Sequence, residues 1–440
     1  MRINSITLQN YRCFKEQSIT FEKNMTLFVG RNGAGKTAAL DAAAIAASTF
    51  LCGFPGITGR NIQKEDARYE FYDMNGVIDP QPQFPVLITA TGECHGQMDI
   101  TWTRSLSSAT GNTRIKDAQK LIAIASDMQT QVMKGNSSLV LPLLSYYGTG
   151  RLYAQKREKK NRQVLQQFNR QVGYLDCMAA ESNEKLMLSW FEIMTMKSLQ
   201  NQQKTGIPEK APQFAAVDNA ICRCFENISR CHHAKTDFDL ETRRIIITYE
   251  TPDGIKCRFA MNELSDGYKN TLSMIADIAY RMAVLNPQLG EAAPSETPGI
   301  VLIDEIDLHL HPEWQQTILA DLQELFPMVQ FLVTSHAPAV INSVNRENIR
   351  ILDNGTIYSP SSQTYGRDVN SILREVMQTG ERSKEIEQLL HAFYLAIDQQ
   401  NIGQAENVLH TLEDTIGGND PELSAARVKL DFAKMQEEWN

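Results

Sequence analysis

The chain has 440 residues, with 52 acidic against 43 basic side chains and a net charge of −9. That charge argues against a constitutive coat of nucleic acid. The apolar runs are far shorter than the roughly 20 residues of a membrane span, and the alternating N-terminus lacks a signal-peptide core, so we expect a cytoplasmic protein. The eight cysteines are scattered, which predicts reduced thiols.

Hydrophobic periodicity predicts an N-terminal lobe over residues 1–150, in which strands precede and follow a helix. Residues 52–85 are rich in Gly, Pro and Asn and are predicted to form loops. The elements predicted in this lobe are, in order, an alternating strand region over 2–30 that ends in Thr26–Val29, helix Lys36–Ser48, and strands 85–91 and 97–104.

Polar helical patterning replaces the strands over residues 151–235, which predicts a helical insertion too short for a long coiled-coil arm. A C-terminal lobe over 236–360 follows, and a helical, amphipathic tail occupies 361–440. The elements predicted in the C-terminal lobe are, in order, strands 238–250 and 254–261, helix 266–285, strand 300–303, helix 312–325, and strands 329–333 and 349–353. The alternation of strands and helices predicts an α/β fold.

The segment Gly30–Thr37 has the spacing G-x-x-x-x-G-K-[ST] between a strand and a helix, the context of a phosphate-binding loop. Backbone N–H groups and the helix N-terminus bind phosphate oxygens there, so we expect ATP. Lys36 is expected to contact the terminal phosphates during catalysis, and the Thr37 hydroxyl to ligate Mg²⁺. The predicted nucleotide-binding positions of the loop are Asn32, Gly33, Ala34, Gly35, Lys36, Thr37 and Ala38.

Candidate catalytic and metal-binding residues follow two of the predicted strands. The apolar strand Gly299–Ile303 is followed by Asp304, a candidate Mg²⁺ ligand, and by Glu305, which we expect to orient or deprotonate the attacking water. Strand 329–333 precedes His336, at the sheet edge where ligands of open α/β sheets bind. We expect His336 to sense the γ-phosphate, the alternative being an ordinary surface histidine.

The segment Leu264–Lys269 reads Leu-Ser-Asp-Gly-Tyr-Lys at the start of a predicted helix. Ser265 is a good N-cap, and Gly267 leaves the helix N-terminus open to an anion. The order of phosphate loop, LSxG, acidic strand end and histidine resembles the ABC ATPase superfamily, and Asp266 places the motif nearer its SMC and DNA-repair branches. The resemblance implies a homodimer in which Ser265 and Gly267 of one copy close over ATP on the other.

Two more segments resemble particular branches of that superfamily. Asp304–Pro312 resembles the HLHP segment of OLD-like prokaryotic ATPases, which makes Asp307 a candidate for coupling between subunits. Asn10–Phe14 resembles the N-terminal element of SMC-like proteins, which implies a nucleotide-phosphate contact by Arg12.

Together with the HLHP segment, Tyr146–Arg151 and Tyr365–Leu373 resemble the ATPase subunit of the Septu anti-phage system and its retron-associated relatives. In that family the ATPase acts with a separate HNH nuclease, so the resemblance implies an oligomeric ATPase that controls such a nuclease. The C-terminal helices, 370–440, are the expected docking surface. The alternative is an SMC-like ATPase that senses DNA ends, with basic residues 156–162 and Arg170 lining a groove for DNA or RNA.

Overall fold

The computed structural model describes residues 1–152, 169–179, 184–207, 210–353, 355–377 and 382–439. They form two compact units, 1–368 and 369–440. The predicted tail boundary at residue 361 lies just before the division between the units. The predicted separation of residues 1–360 into two lobes and an insertion falls within the first unit and stays a prediction. Among the helices described, none combines the length and apolarity needed to span a membrane.

Strands dominate the first unit. They are β1 (Arg2–Tyr11), β2 (Phe14–Thr20), β3 (Met25–Gly30), β4 (Tyr69–Met74), β5 (Val77–Pro82), β6 (Val86–Cys94), β7 (Gln97–Leu106), β8 (Leu143–Tyr147), β9 (His232–Asp239), β10 (Arg244–Glu250), β11 (Lys256–Ala260), β12 (Gly299–Ile303), β13 (Val329–Thr334), β14 (Ile349–Asp353) and β15 (Thr356–Tyr358). The α-helices of both units are α1 (Lys36–Ser48), α2 (Gln119–Met133), α3 (Glu184–Thr205), α4 (Pro212–Ser229), α5 (Asp266–Leu285), α6 (Ala293–Glu296), α7 (Pro312–Leu325), α8 (Pro338–Ile341), α9 (Val369–Glu375), α10 (Lys384–Asp398), α11 (Ile402–Ile416) and α12 (Pro421–Trp439).

The central sheet has the strand order β15-β14-β3-β13-β12-β8, and every pair is parallel except β14 with β15. Strands β3, β12 and β13 are buried along their whole length. Burial on both faces explains their continuous apolar sequences. Because parallel strands place their carboxyl ends at one edge, the segments that follow β3, β12 and β13 converge there.

An antiparallel sheet, β2-β1-β6-β7, packs against the other side of α1 and confirms the predicted N-terminal β element. Helix α1 contacts both sheets and is buried over nearly all its length. Its alanines allow this close approach, and the Trp102 indole N–H of β7 donates a hydrogen bond of 3.0 Å to the Ala46 carbonyl. The predicted α/β fold, with a mainly parallel sheet around the phosphate loop, is therefore confirmed.

Two local predictions were wrong. Residues 52–85 were predicted as loops, but they contain the β4–β5 hairpin, whose turn residues Asn75 and Gly76 take left-handed φ angles of 57° and 85°. Asn-Gly between apolar residues is the usual signal for such a hairpin. Residues 238–250 were predicted as one strand, but the chain reverses between β9 and β10, where Arg243 has φ of 55°.

The second unit is helical, as predicted for the tail. Ser383 begins α10 and its hydroxyl accepts from the Ile386 N–H at 3.5 Å, the N-cap arrangement. Helices α10, α11 and α12 share one apolar core, whose buried members are Ile386, Leu390, Phe393, Ala396, Ala405, Leu409, Leu412, Leu423, Ala426 and Leu430. An ion pair of 2.8 Å between Arg382 and Asp420 joins the start of α10 to the start of α12.

Candidate nucleotide-binding and hydrolysis site

The phosphate loop lies between β3 and α1 and depends on glycine at three positions. Gly33 and Gly35 have left-handed φ angles of 81° and 103°, which other residues adopt at a cost. A Cβ on Gly35 would lie 2.6 Å from the Cys13 sulfur, and one on Gly30 would lie 2.4 Å from the Leu352 carbonyl oxygen. The loop is therefore fixed between the β1–β2 turn and β14.

The Lys36 ammonium lies across this loop. Its Nζ donates to the carbonyl oxygens of Gly30 at 2.9 Å and Arg31 at 3.1 Å. Burial lowers the pKa of Lys36, and the negative charges of Asp304, Glu305 and Asp307 oppose that shift. The predicted cation is thus held at the loop, beside the carboxylates that follow β12.

Thr37 and Asp304 meet, as predicted for two Mg²⁺ ligands. The Thr37 hydroxyl donates to the Asp304 carboxylate at 3.0 and 3.3 Å, and Asp304 is only 3% exposed. A hydroxyl next to a carboxylate is an oxygen donor set of the kind that Mg²⁺ prefers. The residues present therefore fit the ion.

Thr334, at the end of β13, supports both acidic residues. Its Oγ1 donates to Asp304 Oδ1 at 2.6 Å and accepts from the Glu305 backbone N–H at 2.7 Å. Glu305 has a left-handed φ of 49°, which costs energy in a residue with a side chain. Thr334 therefore stabilises the turn that presents Glu305. Sequence patterns did not reveal this role, because Thr334 ends β13 whereas Asp304 follows β12.

We expect Thr334→Val to lower ATP hydrolysis by roughly tenfold to a hundredfold and to raise the Mg²⁺ concentration needed for half-maximal rate. Valine keeps the shape of threonine but leaves the Glu305 N–H and the buried Asp304 oxygen without that partner, at about 1–3 kcal/mol each. The measurement is steady-state hydrolysis against Mg²⁺ concentration. Thr334→Ser, which keeps the hydroxyl, serves as the control, and equal rates for valine and serine variants would contradict this role.

His336 lies within the same group of charges. It is half-buried, and its backbone N–H donates to Asp307 Oδ1 at 3.3 Å. Burial lowers the pKa of His336, the Lys36 charge lowers it further, and Asp307, Glu305 and Asp304 oppose both effects. Its imidazole is therefore neutral at pH 7. Its γ-phosphate contact and the coupling role of Asp307 stay predictions.

This electrostatic environment predicts a pH dependence. Because the pKa of His336 lies below the ordinary value of about 6.5, kcat/KM for ATP should fall in acidic solution, as the imidazole gains a proton, with a midpoint below pH 6.5. The profile of kcat/KM reports groups of the free enzyme. An acid limb centred above pH 6.5 that disappears in His336→Gln would contradict the shift.

The signature segment has a more specific geometry than its sequence indicated. Ser265 is exposed at the N-cap position of α5, yet its side chain makes no capping hydrogen bond. Gly267 is buried, and a Cβ there would lie 2.5 Å from the His309 carbonyl oxygen. Gly267 therefore lets α5 approach the HLHP segment of its own chain, and the Tyr268 and Trp314 rings, 4.2 Å apart, continue this contact. Nucleotide binding by Ser265 and Gly267 stays a prediction.

Tyr147, at the end of β8, connects the hydrolysis site to the signature helix. Its carbonyl oxygen accepts from the Asp304 N–H at 2.8 Å, and its hydroxyl donates to Asp277 of α5 at 2.8 Å. Asp277 also pairs with Arg281 at 2.7 Å. A shift of α5 would therefore act on the strand end that carries Asp304.

Arg12 is bound to protein carboxylates. Its guanidinium pairs with Asp41 and with Asp66, each at 2.8 Å, and Arg60 also pairs with Asp41. This network fixes the β1–β2 turn against α1, because Asp41 lies on α1 one helical turn after Thr37. A phosphate contact by Arg12 stays a prediction.

The basic groove predicted for DNA or RNA does not include Arg170. Its guanidinium donates to the carbonyls of Leu285 at 2.6 Å and Asn136 at 3.3 Å, and also to that of Leu139. Arg170 therefore has a structural role, since burial against carbonyl oxygens occupies its donors. Residues 156–162, the rest of the predicted groove, lie outside the described residues.

Two protein-family models match the sequence. One, described as "AAA domain", matches residues 5–221 and includes the phosphate loop. The other, described as "AAA domain, putative AbiEii toxin, Type IV TA system", matches residues 198–342 and includes the signature, Asp304 and His336.

Several known proteins are similar to this chain. "Retron Vc95 probable ATPase" of Vibrio cholerae serotype O1 biovar El Tor is 25% identical over 87% of this chain and 80% of its own length. "Retron Ec83 probable ATPase" of Escherichia coli is 26% identical over 88% and 78%. "Septu protein PtuA" of Bacillus mycoides (strain KBAB4) is 36% identical over 21% and 12%. Among solved structures, the SMC head domain from Thermotoga maritima covers 82% of this chain and 98% of its own, with 14% identity and a TM-score of 0.42.

The site and the relatives indicate the same chemistry. The phosphate loop, the Asp304–Glu305 strand end and His336 meet at one edge of the central sheet, and two relatives that match most of the chain carry the name ATPase. The chain is therefore a P-loop ATPase whose motif order resembles the ABC/SMC type, and it is similar in sequence to ATPases of retron and Septu systems.

Proposed function

We propose that this chain is the regulatory ATPase of an anti-phage defence system. ATP closes a dimer or a higher oligomer of the chain, hydrolysis reopens it, and the nucleotide state controls a separate nuclease of the HNH type. The observation that carries the proposal is the similarity to two retron ATPases over most of the chain. The Septu relative, which matches a shorter segment, supports the same setting.

The chemistry is assigned to the residues at the sheet edge. Lys36 contacts the terminal phosphates, Thr37 and Asp304 hold Mg²⁺, which supplies charge neutralisation at the phosphates, and Glu305 orients or deprotonates the attacking water. His336, neutral at pH 7, contacts the γ-phosphate. The meeting of Lys36, Thr37 and Asp304 in one place supports this assignment.

The dimer is inferred from the signature segment. Ser265 presents an exposed hydroxyl at the N-terminus of the 20-residue helix α5 without capping it, so both the hydroxyl and the helix end are available to an anion. We infer that the anion is the γ-phosphate of ATP on a second copy. Tyr147 and Asp277 then connect the two half-sites within each copy, because they join α5 to the strand that ends at Asp304.

The experiment is purification from native cells of a tagged Glu305→Gln chain with ATP, alongside a Lys36→Ala chain as the matched variant that should bind nucleotide far more weakly. We expect a stoichiometric nuclease with the Glu305→Gln chain, and nuclease activity of the complex that changes when ATP is removed. Nuclease activity that is the same with ATP, with ADP and without nucleotide would contradict the proposal.

The alternative is an SMC-like ATPase that binds DNA ends directly, and the same purification distinguishes it. Recovery of DNA with no protein partner, together with salt-sensitive and ATP-dependent DNA binding by the pure chain, would support the alternative over nuclease control.

A further inference from the structure

The β4–β5 hairpin is fixed beside the phosphate loop. At its base, the Arg12 N–H donates to the Asp66 carbonyl at 2.8 Å, and the Arg68 N–H donates to the Asn10 carbonyl at 2.9 Å. The residue after Arg12 is Cys13, whose sulfur packs against Gly35 of the loop. The hairpin therefore projects from the β1–β2 turn, and its base lies directly next to the nucleotide site.

The hairpin presents an apolar and acidic surface to solvent. Its strand register places Glu70, Tyr72, Met74, Val77 and Asp79 on one face, and Tyr72, Met74 and Val77 are 45%, 62% and 68% exposed. Residues 69–82 contain three acids and no lysine or arginine. Glu70 pairs with Arg68, just before β4, at 2.6 Å, whereas Asp73 and Asp79 form no ion pair with a described residue. In the described part of the chain neither strand pairs with a third, and a two-stranded ribbon with exposed apolar side chains is marginal alone and marks an interaction surface.

A surface of opposite charge lies beside the signature. Strand β11 is the edge of the β11-β10-β9 sheet, and the chain runs from its end through Met261–Glu263 directly to Ser265. Lys256 and Arg258 are exposed there and form no ion pair with any described residue. Ile255 and Phe259, next to them, are 61% and 45% exposed. Because side chains alternate along a strand, Lys256 and Arg258 lie on one face of β11, and Phe259, which pairs with buried Ile247, lies on the other. Strand β11 therefore exposes basic side chains on one face and apolar ones on the opposite face.

We propose that the β4–β5 hairpin of one copy docks on β11 of a second copy. This inference rests on the nucleotide-closed dimer proposed above, which brings the phosphate loop of one copy to the signature of the other. The hairpin borders the first of these half-sites and β11 borders the second, so closure brings the two surfaces together. The acidic side chains of the hairpin and the basic side chains of β11 are opposite in charge, and in a two-fold dimer the contact forms twice.

Charge reversal tests the docking, with every variant in the Glu305→Gln background. The hairpin variant carries Glu70→Lys and Asp79→Lys, and the β11 variant carries Lys256→Glu and Arg258→Glu. We expect each alone to dimerise with ATP at least about tenfold more weakly, since like charges then face each other at both contacts. An equimolar mixture of the two, differently tagged, should recover ATP-dependent heterodimers, because both of its contacts pair opposite charges.

The control for total charge is Asp117→Lys with Asp127→Lys, which reverses two exposed acids elsewhere and should leave dimerisation unchanged. ATP affinity, measured for each variant at concentrations where it is monomeric, verifies that the variant folds. If the Glu305→Gln chain itself stays monomeric with ATP, the proposed dimer fails and the docking with it. If that chain dimerises while both reversed variants match the control, or while the mixture forms no heterodimer, the docking proposal alone is overturned.

Discussion

Replacement of Lys36 by alanine is expected to weaken ATP binding on the order of 10²–10³-fold, within the roughly 2–5 kcal/mol lost when one partner of a buried, hydrogen-bonded charge pair is removed. Lys36 Nζ is held at the phosphate loop by the carbonyls of Gly30 and Arg31. Three carboxylates lie near it, and without the lysine they would repel the nucleotide phosphates. Loss of this cation therefore removes an attraction and exposes a repulsion.

The measurement is calorimetric titration of ATP in the presence of Mg²⁺. Lys23→Ala, which removes an exposed lysine before β3, is the matched control and should bind ATP like the unaltered chain. An ATP affinity for Lys36→Ala within a few-fold of the Lys23→Ala value would show that the phosphates bind elsewhere.

Glu305→Gln is expected to reduce ATP hydrolysis by roughly 10²–10⁴-fold, the contribution typical of general base catalysis, with little change in ATP affinity. Glutamine keeps the shape of glutamate but cannot accept a proton from water. The backbone is unaffected, because the Glu305 N–H still donates to Thr334 Oγ1 at 2.7 Å. Binding and hydrolysis are therefore predicted to separate in this variant.

Single-turnover hydrolysis and ATP titration on the same preparation test that separation. Glu313→Gln, at the exposed start of α7, is the control and should hydrolyse ATP normally. Hydrolysis by Glu305→Gln at the control rate would assign the base to another residue, whereas lost ATP binding would assign Glu305 to the nucleotide contacts.

Much of the site could be predicted from sequence because its residues follow apolar strands at recognisable spacings. Lys36 and Thr37 come directly after β3, and Asp304 directly after β12. Parallel pairing in one sheet was then enough to bring these segments together. Helix ends were also predictable, since Pro312 begins α7 and the His311 side chain accepts from the Glu313 N–H at 3.4 Å.

The residues that sequence patterns missed act through contacts between distant parts of the chain. Thr334 supports Asp304 across 30 residues, and Tyr147 reaches Asp277 across 130. Gly267 was predicted to open a helix end, but it is also packed against the His309 carbonyl. No local pattern specifies such pairs, because they depend on strand order and on the direction in which each side chain leaves its element.

The β4–β5 hairpin was missed for a different reason. Its Asn75-Gly76 turn is a local signal, but its proline and glycine content gives it the composition of a loop. Both faces of its strands are largely exposed, so the alternation of buried and exposed residues that marks other strands is absent. Exposure of this kind is the feature that makes the hairpin a candidate contact surface.

The central claim is that ATP closes two copies of this chain over a shared site. Its most direct test is the solution mass of the Glu305→Gln chain, measured with ATP and Mg²⁺, with ADP and Mg²⁺, and without nucleotide. We expect the mass to increase by a factor of two or more only with ATP, and the further change Ser265→Arg, which blocks the signature, to prevent that increase. A mass that is the same in all three conditions, or that Ser265→Arg leaves unaltered, would contradict the claim.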